Sequence, residues 1–154
     1  MAEFLFSIGF PSGNRTDKEF LMPNWIMTGS EEIRSNFLSG FFDAEGSVYP
    51  GENKTRWRLC INQHKKIEIA NSGLGFMNQL RELLSYFNIE SASVGIQKGK
   101  VRKDGTKTVR LFFEVKKRSL ENFYRFVGFE NPYKQEKLVL ALSVGTQAVK
   151  GTDS

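Results

Sequence analysis

The stretch that most limits what this chain can fold into is Leu38-Ser39-Gly40-Phe41-Phe42-Asp43-Ala44-Glu45-Gly46. Ile33, Phe37, Phe41 and Ala44 recur at helical spacing, so the segment reads as an amphipathic helix that Gly46 ends. A helix C-terminus carries partial negative charge, so Asp43 and Glu45 stand where anions are disfavoured, and they repel each other. A local rule broken inside a consistent helix marks a candidate functional site. The cheapest remedy for clustered acids is a cation, and hard Mg2+ takes carboxylate oxygen.

The flanking patterns set the fold class. The helix is expected to begin at Thr28 or Ser30, where Thr28-Gly29-Ser30-Glu31 fits a capping box and Glu31 and Glu32 suit the first turn. Ser47 to about Gly51 is a predicted short strand. From Arg56 to Asn62 the chain alternates, with Trp57, Leu59 and Ile61 on one side and Arg56, Arg58, Cys60 and Asn62 on the other. A second helix, from Ser72–Leu74 to Phe87, buries Leu80, Leu83, Leu84 and Phe87. Two strands over 93–102 and 107–116 follow, joined at Lys103-Asp104-Gly105, a good hairpin signal. On the return strand Val109, Leu111, Phe113 and Val115 face the core, while Thr108, Arg110, Phe112, Glu114 and Lys116 face away. Gly95 and Gly99 are expected to bulge the outgoing strand. A short helix over 119–127 precedes a last one opened by Asn131-Pro132, as cap and first residue. The order α-β-β-α-β-β-α-α predicts one α+β domain over 25–145, with an N-terminal arm at 1–24 and a loose tail at 146–154.

Charge placement narrows the partner. The net charge is +5, but residues 51–118 carry +9 and the rest −4. A basic middle whose strands present a polar face fits a polyanion. One cysteine, Cys60, excludes an internal disulfide and points to a reducing intracellular compartment. No apolar run is long enough to span a membrane, and the start lacks the basic and apolar regions of a signal peptide. With one histidine, His64, and one cysteine, a zinc site built on these residues is not expected, and no P-loop is present.

The nonapeptide resembles the signature of the LAGLIDADG homing endonucleases. Leu38, Gly40, Asp43, Ala44 and Gly46 match that name letter for letter, and Ser39, Phe41, Phe42 and Glu45 are similar replacements. The family domain is αββαββα with the motif helix first, the order read above. Pro23-Asn24-Trp25-Ile26 and the stretch from Phe129 to Glu136 also look like the family, so the resemblance covers roughly residues 23–142. It implies antiparallel hairpins that form a DNA-binding saddle. It implies a metal-dependent hydrolysis that cuts both strands of a long, near-palindromic DNA site with a short stagger, leaving 3′ overhangs. A single motif resembles the homodimeric branch; no small-molecule substrate is expected. Mg2+ is the implied cofactor, with Mn2+ able to substitute and Ca2+ binding without supporting cleavage. An RNA maturase, a DNA-binding protein without cleavage, and half of a larger two-motif enzyme stay open as alternatives.

The resemblance also assigns roles. Glu45 stands at the family's metal-binding position, with the Ala44 carbonyl beside it as a second oxygen. Gln63, in Ile61-Asn62-Gln63-His64, resembles the glutamine that orients water, and Lys116, in Glu114-Val115-Lys116, resembles the lysine that polarises it. Ser39, Gly40, Asp43 and Ala44 form a short-side-chain stripe implied as the dimer interface. On the polar face, Tyr49, Arg56, Arg58, Cys60, Asn62, Thr108 and Arg110 are candidates for reading bases, since arginine pairs with guanine and asparagine with adenine in the major groove. Lys98, Lys100 and Arg102 share a face by period two, and Lys54, Lys65, Lys66 and Lys103 are phosphate-contact candidates.

Overall fold

The computed structural model describes residues 14–53 and 56–152. Five α-helices run Asn24–Met27 (α1), Glu31–Glu45 (α2), Ala70–Tyr86 (α3), Leu120–Phe126 (α4) and Pro132–Thr152 (α5). Four strands, Gly46–Pro50 (β1), Trp57–Lys66 (β2), Gly95–Val101 (β3) and Lys107–Val115 (β4), form one antiparallel sheet in the order β1-β2-β4-β3. This is the α+β architecture expected from the sequence, with the predicted helix-strand order. α5 is helical to Thr152, through the stretch after Gly145 where the sequence predicts a loose tail.

Local chemistry sets the ends of α2. The Ser30 hydroxyl accepts from the Ile33 N–H at 3.2 Å, which satisfies one free donor of the first turn. Thr28, the other predicted start, instead closes α1, its hydroxyl donating to the Asn24 carbonyl at 2.9 Å. Gly46 ends α2 in extended backbone (φ −80°), so left-handed freedom is not why glycine is there. A Cβ at Gly46 would lie 2.7 Å from the Phe42 carbonyl oxygen, so glycine lets the strand leave the helix without a gap. Phe37, Leu38, Phe41 and Phe42 are buried; Phe41 packs on Phe76 of α3, and Phe42 packs edge-on to Phe123 of α4, with ring centroids 5.4 and 5.0 Å apart.

The sheet sorts its faces by period two. Leu59, Ile61, Leu111, Phe113 and Val115 are buried among Phe76, Leu80, Leu84 and Phe123 of the helices. Arg58, Asn62, His64, Arg110 and Glu114 line the opposite face. The predicted turn is present: Gly105 takes φ +85°, and the Asp104 carboxylate accepts from the Thr106 N–H at 2.9 Å. The predicted bulge lies between Lys98 and Val101, around Gly99.

The alternation corrects one expectation. Lys65 follows Leu59, Ile61 and Gln63 onto the helix side of β2, so it is buried and reaches no phosphate. Its ammonium donates to the carbonyls of Arg15 (2.6 Å) and Lys18 (2.7 Å) and lies 3.9 Å from the centre of the Phe20 ring. These bonds hold a short 3-10 turn, Arg15–Asp17, against β2. Asp17 then pairs with Arg102 (3.0 Å) and Lys66 (3.5 Å).

Burial, helped by the Arg15 charge and opposed by Glu19, lowers the Lys65 pKa to about 8. Unfolded lysine titrates at about 10.4, so between these values the unfolded chain binds more protons and stability rises with pH. In denaturant unfolding, the stability of the wild type relative to Lys65→Met is therefore expected to increase from about pH 8 to about pH 10.4. A difference that stays constant with pH would show that Lys65 is charged throughout.

Candidate functional site

The C-terminus of α2 abuts the N-terminus of α5. Both oxygens of the Asp43 carboxylate accept from the Asn131 N–H, each at 3.2 Å. Asn131 in turn caps α5, its side-chain oxygen accepting from the N–H groups of Tyr133 (3.0 Å) and Lys134 (3.3 Å). Lys134, in the first turn of α5, donates to the Asp43 backbone carbonyl. The acid at the wrong end of one helix thus sits at the right end of another, where the positive end of the α5 dipole stabilises it. Asp43 has its remedy inside the domain. Ser39 is also engaged there, donating to the Gly128 carbonyl at 3.2 Å. Ser39 and Asp43 thus have partners within the domain, and all four residues of the stripe, Ser39, Gly40, Asp43 and Ala44, are half-buried.

Glu45 forms an ion pair with Arg15 of the N-terminal arm, each side chain about 30% exposed. The pair borders a cleft of about 310 Å³ between Asn14–Thr16, Phe41 and Glu45 of α2, and Asn62–His64 of β2. Gln63 belongs here, as predicted alongside Glu45. Its Oε1 is buried and has no hydrogen-bond partner among the described residues. Leaving a buried carbonyl unmatched costs about 1–3 kcal/mol, a cost that a water or a cation in the cleft would relieve. The Glu45 carboxylate and the Gln63 carbonyl are hard oxygen donors, the kind Mg2+ prefers. No group of three or more His, Cys, Asp or Glu able to hold a metal occurs among the described residues. One carboxylate and one amide oxygen still suit Mg2+, which retains several of its waters.

Lys116 does not join them. Gln63 pairs with Leu111, whereas Lys116 follows Val115, which pairs with Leu59. Lys116 lies five residue steps beyond Leu111, about 16 Å along the strand direction. The exposed Lys116 gives its backbone N–H to the Glu90 carbonyl at 2.9 Å. The lysine at the acidic helix end is Lys134, which sequence patterning did not single out. Burial lowers its pKa, while Asp43 and Glu45 act the other way. Its signal was present: a cation in the first turn after an Asn-Pro cap is as misplaced as an acid in a last turn.

The polar sheet face holds its charged groups in networks. Glu114 receives Arg58 at 2.8 and 3.2 Å and Arg56 at 3.3 Å, which raises the Arg58 pKa. Arg110 donates to Asn62 Oδ1 (2.8 Å) and Gln97 Oε1 (2.9 Å), with Phe112 beside its guanidinium at 4.7 Å. Cys60 is on the predicted face but buried, 3.3 Å from the exposed Tyr49 hydroxyl, so it presents no surface for base reading. The Thr108 hydroxyl donates to the Lys100 carbonyl at 3.1 Å. The bulge breaks the shared face of Lys98, Lys100 and Arg102: Lys98 stands opposite Val109, on the helix side of the sheet edge, and Gln97 takes the place beside Arg110. Lys100 and Lys103 are exposed, and Arg102 is held by Asp17. Lys54 lies outside the described residues.

Residues 32–128 match the family model described as a LAGLIDADG-like domain. The chain belongs to the LAGLIDADG family, a family of DNA-binding nucleases that typically use a divalent metal. Among relatives, it is similar to a "tRNA-splicing ligase RtcB" of Pyrococcus abyssi, 31% identical over 92% of this chain and 14% of the relative. A protein of the same name from Methanocaldococcus jannaschii is 32% identical over 92% of this chain and 14% of its own length. A third, the "DNA-directed RNA polymerase subunit Rpo1N" of Methanocaldococcus jannaschii, is 31% identical over 87% of this chain and 10% of the relative. The chain thus spans about a seventh or less of these relatives. No solved structure matches it. No helix among the described residues is long and apolar enough to cross a membrane.

The helix junction yields a stability test. Asp43→Ala removes the acceptor for Asn131 and the charge facing α5, at an expected cost of about 1–2 kcal/mol in denaturant unfolding. Asp43→Asn keeps one acceptor and is expected to cost about half as much. Equal stability of all three proteins would contradict the junction's role.

Proposed function

We propose that this chain is a sequence-specific homing endonuclease that cuts both strands of a long, near-palindromic DNA site. The observation that carries the reading is the cleft shared by Glu45 and the orphaned Gln63 Oε1, beside a basic, polar sheet; Lys134 stands at the same helix end, on the Asp43 carbonyl, outside the lining of that cleft. The relatives support mobility. The matched segment is a small part of proteins as different as an RNA ligase and a polymerase subunit. A module that recurs inside unrelated proteins acts on something other than their substrates, and a DNA cut at its insertion site is the chemistry that would spread it.

Phosphodiester hydrolysis needs an attacking water, a shield for phosphate charge and help for the leaving oxygen. A divalent cation, when bound, activates water and neutralises phosphate charge. Glu45 would hold the cation, with the Ala44 carbonyl beside it in the chain as a second oxygen. Gln63 accepts a hydrogen bond from water and so orients it toward phosphorus. Lys134 places a fixed positive charge beside the acidic helix end, where phosphate charge grows. One cleft serves one strand, so a double-strand cut calls for two copies related by a two-fold axis, with Gly40 and Ala44 at their contact. Arg56, Arg58, Asn62, Gln97 and Arg110 then face the major groove, held by Glu114 and by one another.

A randomised duplex library, incubated with the protein and Mg2+, is expected to give cut molecules whose ends define one site. Glu45→Gln is expected to lower cleavage of that site by about two orders of magnitude or more while DNA binding persists. Binding without any cut in Mg2+ or Mn2+ would overturn the nuclease reading in favour of a DNA-binding protein. A monomer mass on gel filtration, both free and DNA-bound, would overturn the homodimer.

A further inference from the structure

The N-terminal arm places a cation on the carboxylate that the proposed reaction needs. Arg15 donates to Glu45 Oε1 from a backbone that cannot easily move. Its carbonyl is held by the buried Lys65 ammonium, and the same ammonium holds the Lys18 carbonyl three residues on. Asp17 fastens the turn to Arg102 and Lys66 on the sheet. Asn14 and Thr16, on either side of Arg15, line the cleft with it. The arm is therefore a wall of this site, and the Arg15 guanidinium projects from a fixed point into it.

A divalent cation taking Glu45 changes the charge balance of the cleft. The guanidinium loses its partner and faces a dication, which repels it. Its backbone stays pinned, so it cannot leave the cleft with the arm. An anion that both cations share relieves the arrangement and keeps the guanidinium in the cleft. A phosphodiester oxygen is such an anion, and the planar fork of arginine suits phosphate. Without DNA the same logic opposes the metal, because the cation must first displace Arg15.

On the reading of this cleft as the cleavage centre, we infer that Arg15 is a phosphate-binding residue that occupies Glu45 until cation and DNA arrive together. It makes the two ligands cooperative, each favouring the other by the same factor. The arm then belongs to the reaction machinery as well as to the fold.

Ca2+ and a labelled duplex of arbitrary sequence test this without cleavage. The proteins are the full chain, Arg15→Gln, Arg15→Lys and Glu45→Gln, each checked for native circular dichroism. Arg15→Gln leaves the carbonyl contacts of the arm in place, and Arg15→Lys keeps the charge. In calorimetric titration without DNA, Arg15→Gln is expected to bind Ca2+ about two- to five-fold more tightly than wild type, the worth of a partly exposed ion pair. Arg15→Lys is expected to stay near the wild-type value. In fluorescence anisotropy with the duplex and Ca2+, the salt dependence of binding is expected to be steeper for wild type than for Arg15→Gln by about 0.9, one phosphate contact. Equal Ca2+ affinity in wild type and Arg15→Gln, or equal salt slopes, overturns the inference while leaving Glu45 as the metal ligand. Undiminished Ca2+ binding by Glu45→Gln overturns instead the reading of the cleft on which the inference rests.

Discussion

The meeting of two helix ends, α2 by its C-terminus and α5 by its N-terminus, is the constraint that orders this molecule. Each end alone is electrostatically incomplete: one leaves carbonyls and acids, the other leaves N–H groups and a lysine. Joined through Asp43, Asn131 and Lys134, they complete each other. The junction fixes where α2 stops, and Gly46 then lets β1 start with no intervening residue. Glu45, between Asp43 and that strand, is carried to the edge of the cleft. One acid locks the junction and the other is left facing a site.

Much of this is legible in the sequence. The Ser30 cap, the Asp-Gly turn, the alternation of β4 and the bulge around Gly99 each rest on interactions within a few residues, which sequence spacing reports directly. Lys65 was legible too. The alternation seen from Trp57 to Ile61, continued two steps further, places it with the core. Its charge suggested phosphate and obscured the period. The lysine at the acidic helix end was not legible in the same way. Lys116 and Lys134 both follow family-like residues, and only strand register shows that β4 carries Lys116 away from Gln63. Helix docking brings Lys134 to Asp43 from 91 positions away in the chain.

The polar face has its own consistency. Free arginines on a sheet would each lose side-chain entropy on meeting DNA. Here Glu114 gathers Arg56 and Arg58, and Asn62 with Gln97 holds Arg110. An acid among bases lowers the general attraction for phosphate and in return fixes where the guanidinium forks point. That exchange favours discrimination between sequences over raw affinity, since base contacts specify and phosphate contacts position. Gln97 enters this network through the register upstream of the bulge, so a glycine that a regular strand would avoid has a direct effect on which side chain stands beside Arg110.

The arm joins the two regions. Lys65 is a costly way to fasten a loop, because a buried ammonium loses hydration that two carbonyls and a ring only partly replace. An apolar side chain would fill the space more cheaply but could not hold two carbonyls in place. What the lysine provides is position. It sets Arg15 against Glu45 at one end of a turn whose next acid, Asp17, grips Arg102 from the hairpin. Movement of the β3–β4 hairpin on a DNA groove would therefore be felt, through Asp17 and the pinned turn, at the carboxylate beneath. The chain spends stability on a rigid connection between the polar face of the sheet and the carboxylate at the edge of the cleft.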